Sequence, residues 1–234
     1  MNAEQSAFVR AIFILELHMD FYVAAKAIGD WELDVLAIPF GSRDSDGQWF
    51  DDRTDIMPDV FGTPLAVYQH GVKQGAQELD EKPQIIGRTV PGSLQKMVDG
   101  WHVRIILDKA LKVAKDIMDA AYKQLVAVSS GSIAHLARLD VGGKLIQYEK
   151  NRVGRIAVWP LAEISIWELG NGNLQPASPL AIALPVMKAM YRDAGIAFPD
   201  IDTNGVTEAD EVKRRTKIRQ LQIQSLENLR RIKK

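Results

Sequence analysis

The sequence predicts an α+β fold in which many short strands, with a helix or two between them, build a barrel or sandwich decorated by helices. Three observations carry that prediction. Short apolar or alternating blocks bounded by Gly, Pro and Asp recur at 31–40, 64–70, 84–90, 101–107, 126–132, 144–148 and 161–167. In the body of the chain, helical spacing is confined to 109–124 and 179–194, so strands and helices do not alternate as a doubly wound parallel sheet requires. The 234 residues are 47% hydrophobic and 25% charged, enough for one large packed domain with an appendage and unlike a disordered chain.

Taken in order, residues 4–28 have helical composition, and Gly29 stands where a left-handed residue would close a helix. They predict a helical N-terminal extension over 1–30. The first strand follows at 31–40. Residues 41–55 form a polar loop that carries Trp49 and Phe50, aromatics that pack back on the domain or bind a partner. The strand 64–70 stops at His70-Gly71, and 72–84 are a polar excursion. Strands 84–90 and 101–107 are joined through Pro91-Gly92 and Asp99-Gly100. The helix 109–124 sets Leu111, Val113, Ala114, Ile117, Met118, Ala121 and Tyr122 mostly three and four residues apart. A second helix is expected over 179–194, with Pro179 in its first turn, where a missing N–H does no harm.

Charge is unevenly placed. The net charge is −1, yet the stretch from Lys213 to Lys234 holds nine Lys or Arg against one acid, Glu227, which leaves about −9 on the first 212 residues. The absence of cysteine excludes disulfides, thiol catalysis and cysteine metal sites, and fits a reducing cytoplasm. The apolar run 8–25 contains Arg10, Glu16, His18 and Asp20 and is too polar for a bilayer core.

The chemistry centres on Val128-Ser129-Ser130-Gly131-Ser132, where an apolar run ends in three hydroxyls around a glycine. Such a stretch is either a polar turn or a strand that delivers a serine to an edge. Of the four histidines, His18 and His102 lie in apolar or alternating segments and His135 follows Ser132 closely. His70 differs: it ends a strand before a glycine, where a side chain can face a cleft. Glu163 interrupts an apolar strand, so it lies on the solvent face or is held by a partner, for which imidazolium is suited. A serine nucleophile needs a base, and the base needs an acceptor that fixes its tautomer. Ser129, His70 and Glu163 would fill those three roles.

These stretches resemble the tailed-phage prohead (capsid maturation) serine proteases, a family related in fold to the herpesvirus assemblins. Four motifs in order carry the resemblance: Pro64-Leu65-Ala66-Val67-Tyr68-Gln69-His70 with Ile85-Ile86-Gly87-Arg88; Asp99-Gly100-Trp101-His102-Val103-Arg104-Ile105-Ile106-Leu107 before a helix; Val128-Ser129-Ser130-Gly131-Ser132; and Leu161-Ala162-Glu163-Ile164-Ser165-Ile166 leading to Pro176-Ala177-Ser178-Pro179. Leu36-Ala37-Ile38-Pro39-Phe40-Gly41 is similar to the family's first strand, and the match covers 32–185. The resemblance implies a mainly antiparallel closed β-barrel flanked by helices, herpesvirus-protease-like, over 31–199. It implies His70 as base, Ser129 as nucleophile and Glu163 as orienting residue. Ser132 stands where the family has an aromatic, so Ser130 is the runner-up nucleophile and Ser132 the third. The implied substrates are phage scaffold and the scaffold-like part of the major capsid protein, with self-cleavage, inside a prohead in the host bacterial cytoplasm. A homodimer is expected by analogy. No cofactor, metal, membrane or nucleic-acid partner is expected.

Two features fall outside the match. Asp200, Asp202, Asn204, Gly205 and Glu211 occupy positions 1, 3, 5, 6 and 12 of a calcium loop, although Pro199 precedes it and Thr207 takes the usual apolar position 8. The loop that begins Ser42-Arg43-Asp44-Ser45-Asp46-Gly47 starts similarly but has Arg53 at position 12 and is discounted. Residues 200–234 read as a linker and a basic helical tail, with Ile218, Leu221, Leu226, Leu229 and Ile232 broadly on one side. The rivals to a protease are a catalytically inactive scaffold or capsid-assembly protein of the same fold, a calcium-regulated module and, weakest, a nucleic-acid binder.

Overall fold

The structure is a computed structural model describing residues 24–73, 78–80, 85–169 and 178–201. Thirteen strands and two α-helices are assigned among them: β1 Ala25–Gly29, β2 Glu32–Pro39, β3 Gln48–Trp49, β4 Leu65–Tyr68, β5 Ile85–Thr89, β6 Gln95–Lys96, β7 Gly100–Leu107, α1 Lys112–Tyr122, β8 Val126–Ile133, β9 Arg138–Val141, β10 Lys144–Gln147, β11 Gly154–Val158, β12 Glu163–Glu168, β13 Leu180–Ile182 and α2 Leu184–Asp193. A 3₁₀ turn, Gln69–Gly71, follows β4. The α+β, mainly strand character read from the sequence is therefore observed.

The strands form two sheets. The larger runs β1-β2-β7-β5-β4-β12-β8-β13, with β6 against β7; the smaller runs β10-β9-β11-β3. Pairing is antiparallel except for β12 with β4, β13 with β8 and β11 with β3. The larger sheet curls, so that β1 and β2 approach β8 across the core. It does not close: among the described residues no ladder joins β1 to β13. The expected closed barrel is thus replaced by a curled sheet and a separate small one. The chain between β8 and β12 supplies β9, β10 and β11 to the small sheet instead of completing a ring.

Two other expectations are corrected. Residues 25–29 are not the end of a helix. They form β1, which pairs antiparallel with β2 through a turn at Asp30 and Trp31, and Trp31 takes φ +64°. Residues 1–23 of the predicted extension lie outside the described residues. The helix expected over 179–194 begins only at Leu184, because Leu180–Ile182 first add to the edge of β8. The proline in its first turn is Pro185, not Pro179.

The core follows from alternation. In β12, Ile164 and Ile166 face inward with Val126 and Val128 of β8, and α1 lays Ala114, Ile117, Met118 and Ala121 on the same cluster. Trp159 is completely buried, with Phe50 at 5.9 Å and Tyr148 at 5.0 Å between ring centroids. Phe50 thus packs back on the domain, one of the two roles open to it in the loop. On the other side of β12, α2 buries Met187, Met190 and Tyr191, and Tyr191 Oη donates to the Ala162 carbonyl at 2.8 Å, fixing the chain one residue before Glu163. The compact unit ends at Phe198; Pro199–Lys234 form a second unit, of which the calcium-loop pattern from Asp202 onward and the basic tail lie outside the described residues.

Arg155 of β11 joins the loop after β3 to the small sheet. Its guanidinium, 11% exposed, meets Asp140 at 2.9 Å and Asp51 at 3.4 Å. Burial pushes the Asp51 carboxyl up, but hydrogen bonds from Arg53 and the nearby Arg155 and Arg53 charges outweigh it and hold the group below its usual value. A depressed carboxylate contributes stability above its unfolded pKa of about 3.9, and that contribution disappears as pH falls through the folded value. Arg155→Ala is expected to cost about 1–3 kcal/mol at pH 7 and to lessen the further loss on acidification below about pH 4. Urea unfolding at both pH values measures this.

Candidate functional site

Three adjacent strands, β4, β12 and β8, bring the sequence-predicted residues to one face of the large sheet. In β12, alternation sends Ile164 and Ile166 into the core and Glu163, Ser165 and Trp167 to the opposite face. The antiparallel register sets Glu163 opposite Gly131 and Ser165 opposite Ser129. Residues opposite each other in a ladder share a face, so Ser129, Gly131, Glu163 and Ser165 form one patch. Ser129 is a diagonal neighbour of Glu163, a relation that spans about 7–8 Å in such ladders.

His70 reaches this patch from the end of β4. That strand runs parallel to β12 as far as Tyr68 opposite Ile166. The chain then turns through three successive left-handed residues, Gln69 (φ +46°), His70 (φ +64°) and Gly71 (φ +57°). For non-glycine residues this conformation costs about 1–2 kcal/mol each. Two contacts hold it. Ser165 Oγ accepts the His70 backbone N–H at 2.7 Å, and the Gly71 carbonyl accepts the Asp80 N–H at 3.0 Å. The turn folds the imidazole back over β12, where its Nδ1 lies 2.6 Å from Glu163 Oε1. An ionised carboxylate oxygen only accepts, so toward it Nδ1 is the donor, and Nε2 is the ring nitrogen that Glu163 does not use. The Trp167 ring flanks the imidazole, 6.3 Å between centroids.

Glu163 is completely buried, and its Oε2 has no hydrogen-bond partner among the described residues. A buried carboxylate is costly unless a partner compensates it, so the pair depends strongly on His70. Gly131 explains the glycine in the serine cluster. A Cβ at 131 would fall on Glu163 Oε1; only a residue without a side chain lets the carboxylate lie across β8 toward the histidine.

The three serines separate by face. Ser129 lies on the Glu163 face, and its Oγ donates to the Ser178 carbonyl at 2.9 Å. Ser130 points to the other side and accepts the Trp159 indole N–H at 3.0 Å. Ser132 is completely buried, with no hydrogen-bond partner for its Oγ among the described residues. The site therefore joins His70 to Glu163 and sets Ser129 on the same face, while Ser130 and Ser132 belong to the core side. Reasoning from the sequence missed two residues. Ser165 could have been found from alternation, since it follows Glu163 by two on the same strand. Ser178 lay within the Pro176-Ala177-Ser178-Pro179 motif but carried no signal for this contact, because its backbone carbonyl and not its side chain meets Ser129.

Comparison of the chain with protein-family models, with curated proteins and with solved structures gives no match. Among the described residues no three His, Cys, Asp or Glu side chains are grouped to hold a metal, and no helix is long and apolar enough to cross a membrane.

Two substitutions test this geometry without reference to activity. Gly131→Ala is expected to destabilise by about 3 kcal/mol or more, because it overpacks the ladder and displaces a buried charge. Adding Glu163→Ala to it should cost far less than in the parent background, a non-additivity read from a double-mutant cycle of urea unfolding. Ser165→Ala strips the acceptor from the His70 N–H and should cost about 1–3 kcal/mol, whereas Ser165→Thr keeps the hydroxyl acceptor and should retain most of the stability.

Proposed function

We propose that the protein is a serine endopeptidase of the prohead-maturation type, with Ser129 as nucleophile, His70 as base and Glu163 as the residue that orients it. The observation that carries this reading is the buried Glu163 carboxylate holding Nδ1 of an imidazole beside a strand whose same-face residue is a serine. The left-handed turn and the clearance at Gly131 both serve this pair. The curled large sheet corresponds, in this reading, to the family's barrel.

The chemistry uses groups already in place. Ser129 Oγ attacks the scissile carbonyl carbon while His70 Nε2 takes its proton, and Glu163 stabilises the resulting imidazolium through Nδ1–H. The peptide C–N bond then breaks, and the leaving amine takes the proton from Nε2. Water attacks the acyl-enzyme with His70 again as base. The ester bond breaks, the new carboxylic acid departs, and the proton returns to Ser129 Oγ. Ser129 must first exchange its acceptor, from the Ser178 carbonyl to His70, an adjustment common when an unliganded site closes on substrate. The proposed substrates are phage scaffold and the scaffold-like segment of the major capsid protein, cut inside the prohead in the host cytoplasm, with self-cleavage and a homodimeric enzyme.

The Ser129–Ser178 bond favours a second reading, a catalytically inactive scaffold or capsid-assembly protein of the same fold, since it turns the hydroxyl proton away from the imidazole. A fluorophosphonate separates the two. The protease reading expects one adduct, on Ser129, lost in Ser129→Ala, retained in Ser130→Ala and Ser132→Ala, and formed about 100- to 10,000-fold more slowly in His70→Ala. Absence of any adduct on folded protein would support the inactive protein instead, and an adduct that survives Ser129→Ala would overturn Ser129 as the nucleophile. Intact-mass spectrometry gives the count and the position.

A further inference from the structure

The loop between β2 and β3 and the first residue of β3 hold two carboxylates and an amide, each with one oxygen left without a partner among the described residues. Asp44 Oδ1 is used locally: it accepts the backbone N–H groups of Asp46 and Gln48, both at 2.9 Å. Asp44 Oδ2, Asp46 Oδ2 and Gln48 Oε1 are each buried and without a hydrogen-bond partner among the described residues. Neither acid forms an ion pair among those residues. Arg43, the cation nearest in sequence, pairs with neither carboxylate: it donates to the Gly47 carbonyl at 3.0 Å and lies 4.2 Å from the Trp49 ring centroid.

Gln48 is the independent observation. It is completely buried. Its Nε2 donates to the Glu149 and Arg152 carbonyls at 2.8 and 3.1 Å. Flipping the amide would set oxygen against two carbonyl oxygens, so the orientation is fixed by its partners. Oε1 is therefore a buried acceptor with nothing to accept, on a residue whose backbone N–H is already bound to Asp44. Desolvated like charges together with an orphan acceptor need a cation or a proton to offset them.

We propose that residues 44–48 form a divalent-cation site that takes Ca²⁺ through Asp44 Oδ2, Asp46 Oδ2 and Gln48 Oε1, with water completing the shell. An all-oxygen set suits a hard cation, and Gly47 at φ +75° supplies the turn that calcium loops use. Arg53 at position 12 removes the bidentate glutamate of the standard loop; the buried amide oxygen adds a ligand nearer the turn. Two carboxylates give a weak site, with Kd about 10⁻⁴–10⁻³ M. The loop also touches the residue that meets Ser129, because Ser45 Oγ lies 2.6 Å from the Oγ of Ser178, whose carbonyl accepts the Ser129 hydroxyl. The proposal is independent of the protease reading.

Asp46→Asn is the informative variant, since no hydrogen bond of the turn uses the Asp46 side chain among the described residues. Thermal unfolding of the full chain in EDTA should show Asp46→Asn more stable than the parent, because a repulsion is removed. In millimolar Ca²⁺ the order should reverse, with the parent gaining about 2–4 °C. Tb³⁺ titration should give emission sensitised through Tyr148 or Trp49, displaced by Ca²⁺ and reduced at least tenfold in Asp46→Asn. Asp200→Asn with Asp202→Asn should leave both readouts unchanged. The proposal is overturned if the parent shows neither shift nor emission, if Asp46→Asn is the more stable in both conditions, or if the response disappears only in the 200/202 variant.

Discussion

The buried contact between Glu163 and His70 is the constraint on which the site depends. A carboxylate at 0% exposure must be compensated, and the imidazole is its one hydrogen-bonding partner among the described residues. Several local features serve that single pair. Gly131 leaves room for the carboxylate. Tyr191 of α2 anchors the carbonyl of Ala162, just before it. Gln69, His70 and Gly71 accept a left-handed turn that ordinary strand continuation would avoid, and Ser165 holds the turn through its backbone N–H. Strain at a residue is tolerated only where surrounding contacts over-determine it. Here those contacts come from the strand that carries the partner.

Parallel pairing of β4 with β12 is what makes the geometry work. It sets the C-terminal end of β4 beside Ser165 and Ile166, so a turn of three residues suffices to bring His70 back to Glu163. The antiparallel pairing of β12 with β8 then puts Ser129 on the same face. Slipping β8 by one residue would turn Ser129 inward and Ser130 outward. The indole of Trp159, bonded to Ser130 in the core, opposes such a slip.

Much of this was legible in the sequence, and the failures are local. Glu163 in an apolar strand and His70 before a glycine both pointed to partners, and the two are partners. The glycine in Ser-Ser-Gly-Ser leaves room for Glu163 Oε1, a role that only the pairing of β8 with β12 reveals. Which serine shares the face required strand register, which adjacent hydroxyls do not encode. The residues 25–29 looked helical because Ala, Lys and Ile suit either state; pairing with β2 decides in favour of strand. The short strands β3, β6 and β13 are only two or three residues long, below the length at which alternation can be recognised. Closure of the sheet is a property of its two ends, which no local pattern specifies. The discounted loop at 42–53 was judged on its twelfth position, whereas the buried oxygens of Asp44, Asp46 and Gln48 appear only in three dimensions.

The most direct test of the central claim is a crystal structure of the fluorophosphonate-treated protein. The account predicts phosphorus bonded to Ser129 Oγ, His70 Nε2 within hydrogen-bonding distance of an adduct oxygen, and Nδ1 still on Glu163. Phosphorus on another residue would contradict it. So would an adduct on Ser129 with His70 Nε2 out of reach of every adduct oxygen, for then the Glu163–His70 pair would be a structural device and not the base of a nucleophilic serine.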